Sequence, residues 1–168
     1  MRRRVFIVFT FVSAIIFAQD SQQISFETPE FLAGPVVAHS MLGATYAYHT
    51  KDTAAHAELQ ISIVTLPAQM RRGEASAEHC ISLFMTEVAK SHQAFFAIQT
   101  DKRLEAGPLQ LTQARWTAKD DTRAVTGVTS CAVDKGRYIS ISFQDSIETA
   151  PDSFPQIRAR IKNLKVYD

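Results

Sequence analysis

Alternation of apolar and polar positions is clearest over residues 123–145, where two segments flank Asp134-Lys135-Gly136. In the second segment Ile139, Ile141 and Phe143 point one way, and Ser140, Ser142 and Gln144 the other. A period of two with one apolar face predicts a half-buried antiparallel strand. Asp and Gly in the connection fit a type I turn followed by a left-handed Gly bulge. That loop pairs Val133 with Arg137, so Cys131 is expected opposite Ile139, Thr129 opposite Ile141 and Gly127 opposite Phe143. Cys131 then falls on the apolar face.

The rest of the chain divides by the same signals. Residues 36–49 favour strand, with Gly43 as a bulge or bend. Tyr46 and Tyr48 share one face there, and Thr45, Ala47 and His49 the other. Leu59, Ile61 and Ile63 alternate with Glu58, Gln60 and Ser62, which predicts another strand, ended by Pro67. Ser76 can cap a helix. Cys80, Ile81, Phe84 and Val88 recur on one side at helical spacing, and the helix is expected to run to about Phe96. Gly107-Pro108 breaks the chain. A strand over residues 109–119 then sets Leu109 and Leu111 against Ala114 and Trp116, and Asp120-Asp121 forms a turn. Pro151-Asp152-Ser153 and Pro155 start a last helix with Phe154, Ile157, Ile161 and Leu164 inside, and Arg158, Arg160 and Lys162 outside.

The resulting order, β-β-β-α-β-β-β-α, argues an α+β domain with an antiparallel sheet packed with helices. This order is similar to that of the PsbP-like α/β-sandwich superfamily. So is the closing strand Gly136-Arg137-Tyr138-Ile139-Ser140-Ile141, followed by a capped terminal helix through Leu164. The resemblance covers residues 36–166 as a pattern of elements and includes no functional motif. It implies a sandwich of sheet and helices. Members of that superfamily include photosystem accessory subunits, a Ran-binding nuclear factor and small exported bacterial proteins, so the fold alone does not choose a function.

Residues 1–18 read as an address. Arg2, Arg3 and Arg4 precede an apolar run, and the small Ala18 precedes Gln19, the layout of a secretory signal peptide cleaved between them. The run is shorter than the roughly 20 residues a membrane-spanning helix needs. Arg3-Arg4-Val5-Phe6-Ile7 resembles a twin-arginine export motif, but the strongly apolar stretch suits the general route better. Residues 19–34 are expected to be a flexible lead-in and residues 35–168 a single domain. The protein is thus expected in the periplasm or outside the cell, meeting the membrane only during export.

Charge and cysteines narrow the classes further. The chain has 18 basic and 17 acidic residues, and the leader holds three Arg and no acid. Fifteen against seventeen remain, which leaves no basic footprint for nucleic acid. Two cysteines, Cys80 and Cys131, in an exported protein imply one disulfide. Both faces carrying them are apolar, so the bond would clamp the first helix to the sheet.

The sequence carries few residues in patterns that chemistry needs. The five histidines, His39, His49, His56, His79 and His92, include no pair four apart with an intervening Glu, and no metal site is expected. His79 and Cys80 are neighbours on a helix and point about 100° apart, so they make a poor nucleophile pair. No nucleophile elbow, phosphate-cradling loop or dinucleotide fingerprint occurs, so no cofactor is expected. Asp120, Asp121 and Asp145 could bind Ca²⁺ but read more simply as solvated residues. Tyr46, Tyr48, Trp116 and Tyr138 are the candidate contact surface, as aromatics on strands. The expectation is an exported binding protein with a protein partner, of accessory or immunity type. A small-molecule or lipid carrier and a hydrolase are the alternatives.

Overall fold

The computed structural model describes residues 23–52, 56–69, 75–92, 94–120 and 123–167. The leader with Ala18 and Gln19, the Arg71-Arg72-Gly73 loop and Asp121 lie outside the described residues. The elements are β1 (Ile24–Ser25), β2 (Leu32–Ser40), β3 (Gly43–Thr50), β4 (Glu58–Thr65), α1 (Ala77–Ser91) and β5 (Ala94–Ala106). There follow β6 (Leu109–Asp120), β7 (Arg123–Asp134), β8 (Arg137–Ser146), α2 (Ala150–Ile161) and β9 (Lys165–Val166). Seven strands form one antiparallel sheet in the order β2-β3-β4-β8-β7-β6-β5. β1 and β9 pair separately. The fold is the expected antiparallel α+β sandwich, with helices on the two faces of the sheet.

Each face has its own core. Tyr46, Tyr48, Leu59, Ile61, Ile63, Ile141 and Phe143 pack beneath Ile157 and Ile161 of α2, with Ile24 and Leu32 closing the layer. On the opposite face α1 lays Cys80, Ile81, Phe84 and Val88 over Ala114, Trp116, Val125 and Cys131. Ser76 caps α1 as its pattern predicts, its hydroxyl accepting from the His79 N–H at 3.0 Å. Asp145, buried at the end of β8, accepts from the Ser146 N–H at 2.8 Å and the Ser153 hydroxyl at 2.6 Å. Those bonds tie α2 to the strand that precedes it.

Five expectations need correction. The β7–β8 turn has two residues: Lys135 and Gly136 both take positive φ, 47° and 75°, and Asp134 pairs with Arg137. Two left-handed residues in succession match the twist of the flanking strands, as in a type I′ turn. Every pair shifts by one, so Cys131 faces Ser140, Thr129 faces Ser142 and Gly127 faces Gln144, while Ile139 faces Ala132. A one-residue slip exchanges the faces, and Cys131 therefore points towards α1, away from the side of Ile139 and Ile141. Nor is β8 half-buried. Ser140 and Ser142 are buried on the α1 side, because the central strands are covered on both faces.

The first helix does not reach Phe96. It ends at Ser91, and the chain turns extended at His92 to form β5, an additional strand paired with β6. The lead-in is not loose from Gln23 onward. Ile24 pairs with Val166 and is buried, the Tyr167 N–H donates to the Gln23 carbonyl at 2.8 Å, and β2 begins at Leu32. The last correction concerns the aromatics and belongs with the site.

Candidate functional site

Tyr46, Tyr48, Trp116 and Tyr138 are only 1–8 % exposed, so they are core residues and form no contact surface. Tyr46 and Tyr48 lie on the α2 side, where the Tyr46 hydroxyl accepts from the Gln23 N–H at 3.1 Å and Phe26 packs edge-on against Tyr48. Burial, and secondarily Tyr46, pushes the Tyr48 phenol up to about 12. Trp116 lies under α1. Its indole N–H donates to the Thr129 hydroxyl at 3.3 Å, which contacts the Ser142 hydroxyl at 3.2 Å. Tyr138 packs with Cys80 and Cys131, and burial raises its phenol above the ordinary value. The physical reason is common to all four. Aromatics on two-sided strands have a large apolar area to hide, and helices cover both sides here.

Cys80 and Cys131 are joined by a disulfide, with Cα atoms 6.1 Å apart. The sequence separation of 51 places one sulfur on α1 and the other on β7, so the bond closes α1 onto the sheet. Both cysteines are buried.

Three surfaces remain where binding or chemistry could be sited. The first is the polar half of the α1 side of the sheet, over β3, β4 and β8, where Ser62, Ser140 and Ser142 are buried and Glu58 at the end of β4 is exposed. Thr45 and Ser62 hydroxyls meet at 3.0 Å, and the Gln144 amide donates to Glu58 at 3.0 Å. Desolvation raises the Glu58 carboxyl above its ordinary range, opposed by His49, the Gln144 hydrogen bond and His92. Among the described residues no group of three His, Cys, Asp or Glu is placed to hold a metal ion. Asp145, considered for Ca²⁺, is engaged by two serine residues. It meets the Ser153 hydroxyl directly, with no imidazole between them, and that arrangement does not make a hydroxyl nucleophilic. The His56 Nε2 is buried without a hydrogen bond. Burial, then Arg123, lowers its pKa below the ordinary value, and Asp145 and Asp52 oppose that.

The second surface is the β2 edge. β2 is the last strand on its side of the sheet, and residues 34–40 are exposed on both faces or nearly so. Val36 is 61 % and Met41 90 % exposed, and Val37 and Leu42, which follow them, are also exposed. The sequence offered this signal as an apolar run, Val36-Val37-Ala38-His39-Ser40-Met41-Leu42, without a single Lys, Arg, Asp or Glu.

The third is a groove between α2 and the outer strands, in two connected hollows of about 410 and 530 Å³ that share Pro155 and Arg158. Arg115 of β6 lines it together with Phe154 and with Val128, its partner on β7. Arg158 is half-buried, so it does not face out as its helical position implies. Neither guanidinium Nε of Arg115 and Arg158 has a hydrogen-bond partner, though both atoms are buried. Burial, with Arg115 nearby, lowers the proton affinity of Arg158. A sequence signal existed: Arg115 has the parity of Leu109 and Leu111, a charge in a core-facing row.

No family model matches the sequence, and no curated protein matches it. Solved structures do match in shape. Cyanobacterial PsbP (CyanoP) from Synechocystis sp. PCC 6803 superposes with a TM-score of 0.59 at 12 % identity, over 90 % of this chain and 91 % of that one. LpqN, involved in cell envelope biogenesis of Mycobacterium tuberculosis, gives 0.52 at 10 % identity, over 86 % and 83 %. The chain has a PsbP-like α/β-sandwich fold. At these identities the likeness is one of architecture.

Proposed function

We propose that the protein is an exported binding protein whose partner is another protein, engaged along the β2 edge. The carrying observation is the cluster of exposed apolar side chains at Val36, Val37, Met41 and Leu42 on an edge strand without gatekeeping charges. Such an edge offers unpaired backbone N–H and C=O groups beside apolar side chains, and an extended segment of a partner can add to it as a further strand. Native edges are usually blunted by charge or proline, and Pro35 protects only the beginning of this one.

Export is supported by the leader pattern and by the Cys80–Cys131 disulfide, a bond that persists in oxidising compartments. Among the described residues no helix is long and apolar enough to cross a membrane. LpqN is described as acting in cell envelope biogenesis, and an envelope role for the present chain agrees with its leader. An accessory or immunity-type role, in which the domain holds or masks another protein, fits an edge that captures strands.

The test is a double change, Val36→Lys with Met41→Lys, compared with the wild type in cross-linked capture from exported fractions. A partner recovered by the wild type and lost by the variant, at an unchanged melting temperature, is the expected result. Equal recovery by both proteins would remove the edge from the interface.

A further inference from the structure

The groove between α2 and the sheet contains an unusual electrostatic arrangement for a chain whose charges nearly balance, with 18 basic and 17 acidic residues. Arg115 and Arg158 come from a strand and a helix 43 positions apart and line the same hollow. Both Nε atoms are buried and unpartnered. Arg103 and Lys162 line the adjoining hollow, where Glu105 is the one acid among the described residues. Arg103 donates to the Gln110 side chain at 3.2 Å across the β5–β6 ladder. Among the described residues, four cations thus border two hollows that share Pro155 and Arg158, against one carboxylate. Two guanidiniums near one another raise each other's energy until an anion sits between them. A buried N–H without an acceptor adds a desolvation cost of its own. One oxyanion in the hollow relieves the repulsion, because it carries the opposite charge and accepts from the terminal N–H groups of the two forks.

We propose that this groove is a binding site for an oxyanion, gripped by Arg115 and Arg158. Phosphate or a phosphate monoester is the fitting chemistry, because planar guanidinium forks match its oxygens. The walls carry a second clue. Val128, Ile147, Pro151 and Phe154 line the hollow that contains the arginine pair. An apolar body attached to the oxyanion would cover those side chains, whereas free phosphate would leave them in water. The site is independent of the β2 edge, which lies at the far side of the sheet from β6.

The experiment is calorimetric titration of the purified protein with three probes: inorganic phosphate, dodecyl phosphate below its micellar concentration, and dodecyltrimethylammonium. Phosphate and dodecyl phosphate should bind and the cationic amphiphile should not. Arg115→Gln and Arg158→Gln should each weaken binding about tenfold or more, as expected for loss of a charge-assisted hydrogen bond. Arg160→Gln should leave it unchanged, since Arg160 pairs with Glu27 instead. Tighter binding of dodecyl phosphate supports the site with an amphiphile as its source. Equal affinities support it with a free oxyanion. Melting temperatures of the two Gln variants check folding. Should one of them not fold, Arg158→Lys keeps the charge but loses the planar fork, and it should bind several-fold more weakly. The site is overturned if neither phosphate probe binds, if affinity survives the arginine changes, or if the cationic amphiphile binds as well.

Discussion

Trp116 and Gly127 face each other across β6 and β7, and the glycine exists for the indole. A β-carbon on Gly127 would overlap the Cζ2 and Cε2 atoms of Trp116, inside any tolerable contact. The ring cannot retreat freely, since it lies among Phe84, Val88 and Val125 and donates its N–H to Thr129. Gly127→Ala should therefore destabilise the fold by about 1–3 kcal/mol, the range for overpacked cores. Urea unfolding should show a lower midpoint with an unchanged slope. An unchanged midpoint would mean that the indole has room to slide. The same scale shows why the arginine pair escaped the sequence reading. Arg158 occupies an outward position by helical count, and only the packing of α2 against β6 brings it to Arg115. Arg115 was the readable half, because it falls in the row of Leu109 and Leu111.

At the scale of elements, periodicity succeeded where one side of a segment was apolar and the other polar. β4 and the stripe of α1 are of that kind. It failed where its assumption failed. The β7–β8 pairing was read one residue out of register, because Asp134-Lys135-Gly136 fits a three-residue loop and a two-residue turn equally well by residue type. Burial on both faces then removed the check that a solvent face would have supplied. The start of β5 is hidden because its residues follow α1 without a breaker, although Phe95, Phe96 and Ile98 favour strand. The disulfide between α1 and β7 is the consequence that can be measured. The chain-entropy model gives roughly 4 kcal/mol for closing a loop of this length. Cys80→Ser, Cys131→Ser and the double change should lose similar amounts of stability, since each removes the same bond. Unreduced, unfolded protein should expose no reactive thiol. A double variant clearly weaker than both single variants would show that the two sulfurs contribute separately.

For the whole molecule, the sandwich is asymmetric. The side under α2 is apolar from β3 to β7, whereas the α1 side is apolar only over β6 and β7 and becomes a hydroxyl and amide surface over β4 and β8. That asymmetry leaves titrating groups at the edge of the packed region, and their shifts have opposite signs. His56 has its folded pKa lowered from the ordinary 6.5, chiefly by burial and then by Arg123. Between that lowered value and 6.5 the unfolded chain binds the extra proton, so His56 makes stability rise with pH in that window. Glu58 has its folded pKa raised from the ordinary 4.5, chiefly by desolvation. Between 4.5 and that raised value the folded chain holds the extra proton, so Glu58 makes stability fall as pH rises. Solvent reaches Glu58, which keeps its contribution small. Urea midpoints across the acidic to neutral range should separate the two. His56→Gln should flatten the rise on approach to 6.5, and Glu58→Gln should remove the fall just above 4.5. Difference curves against the wild type isolate each group from the remaining carboxylates. A Glu58→Gln difference that stays flat through the acidic range would mean that water reaches this carboxyl as fully in the folded chain as in the unfolded one.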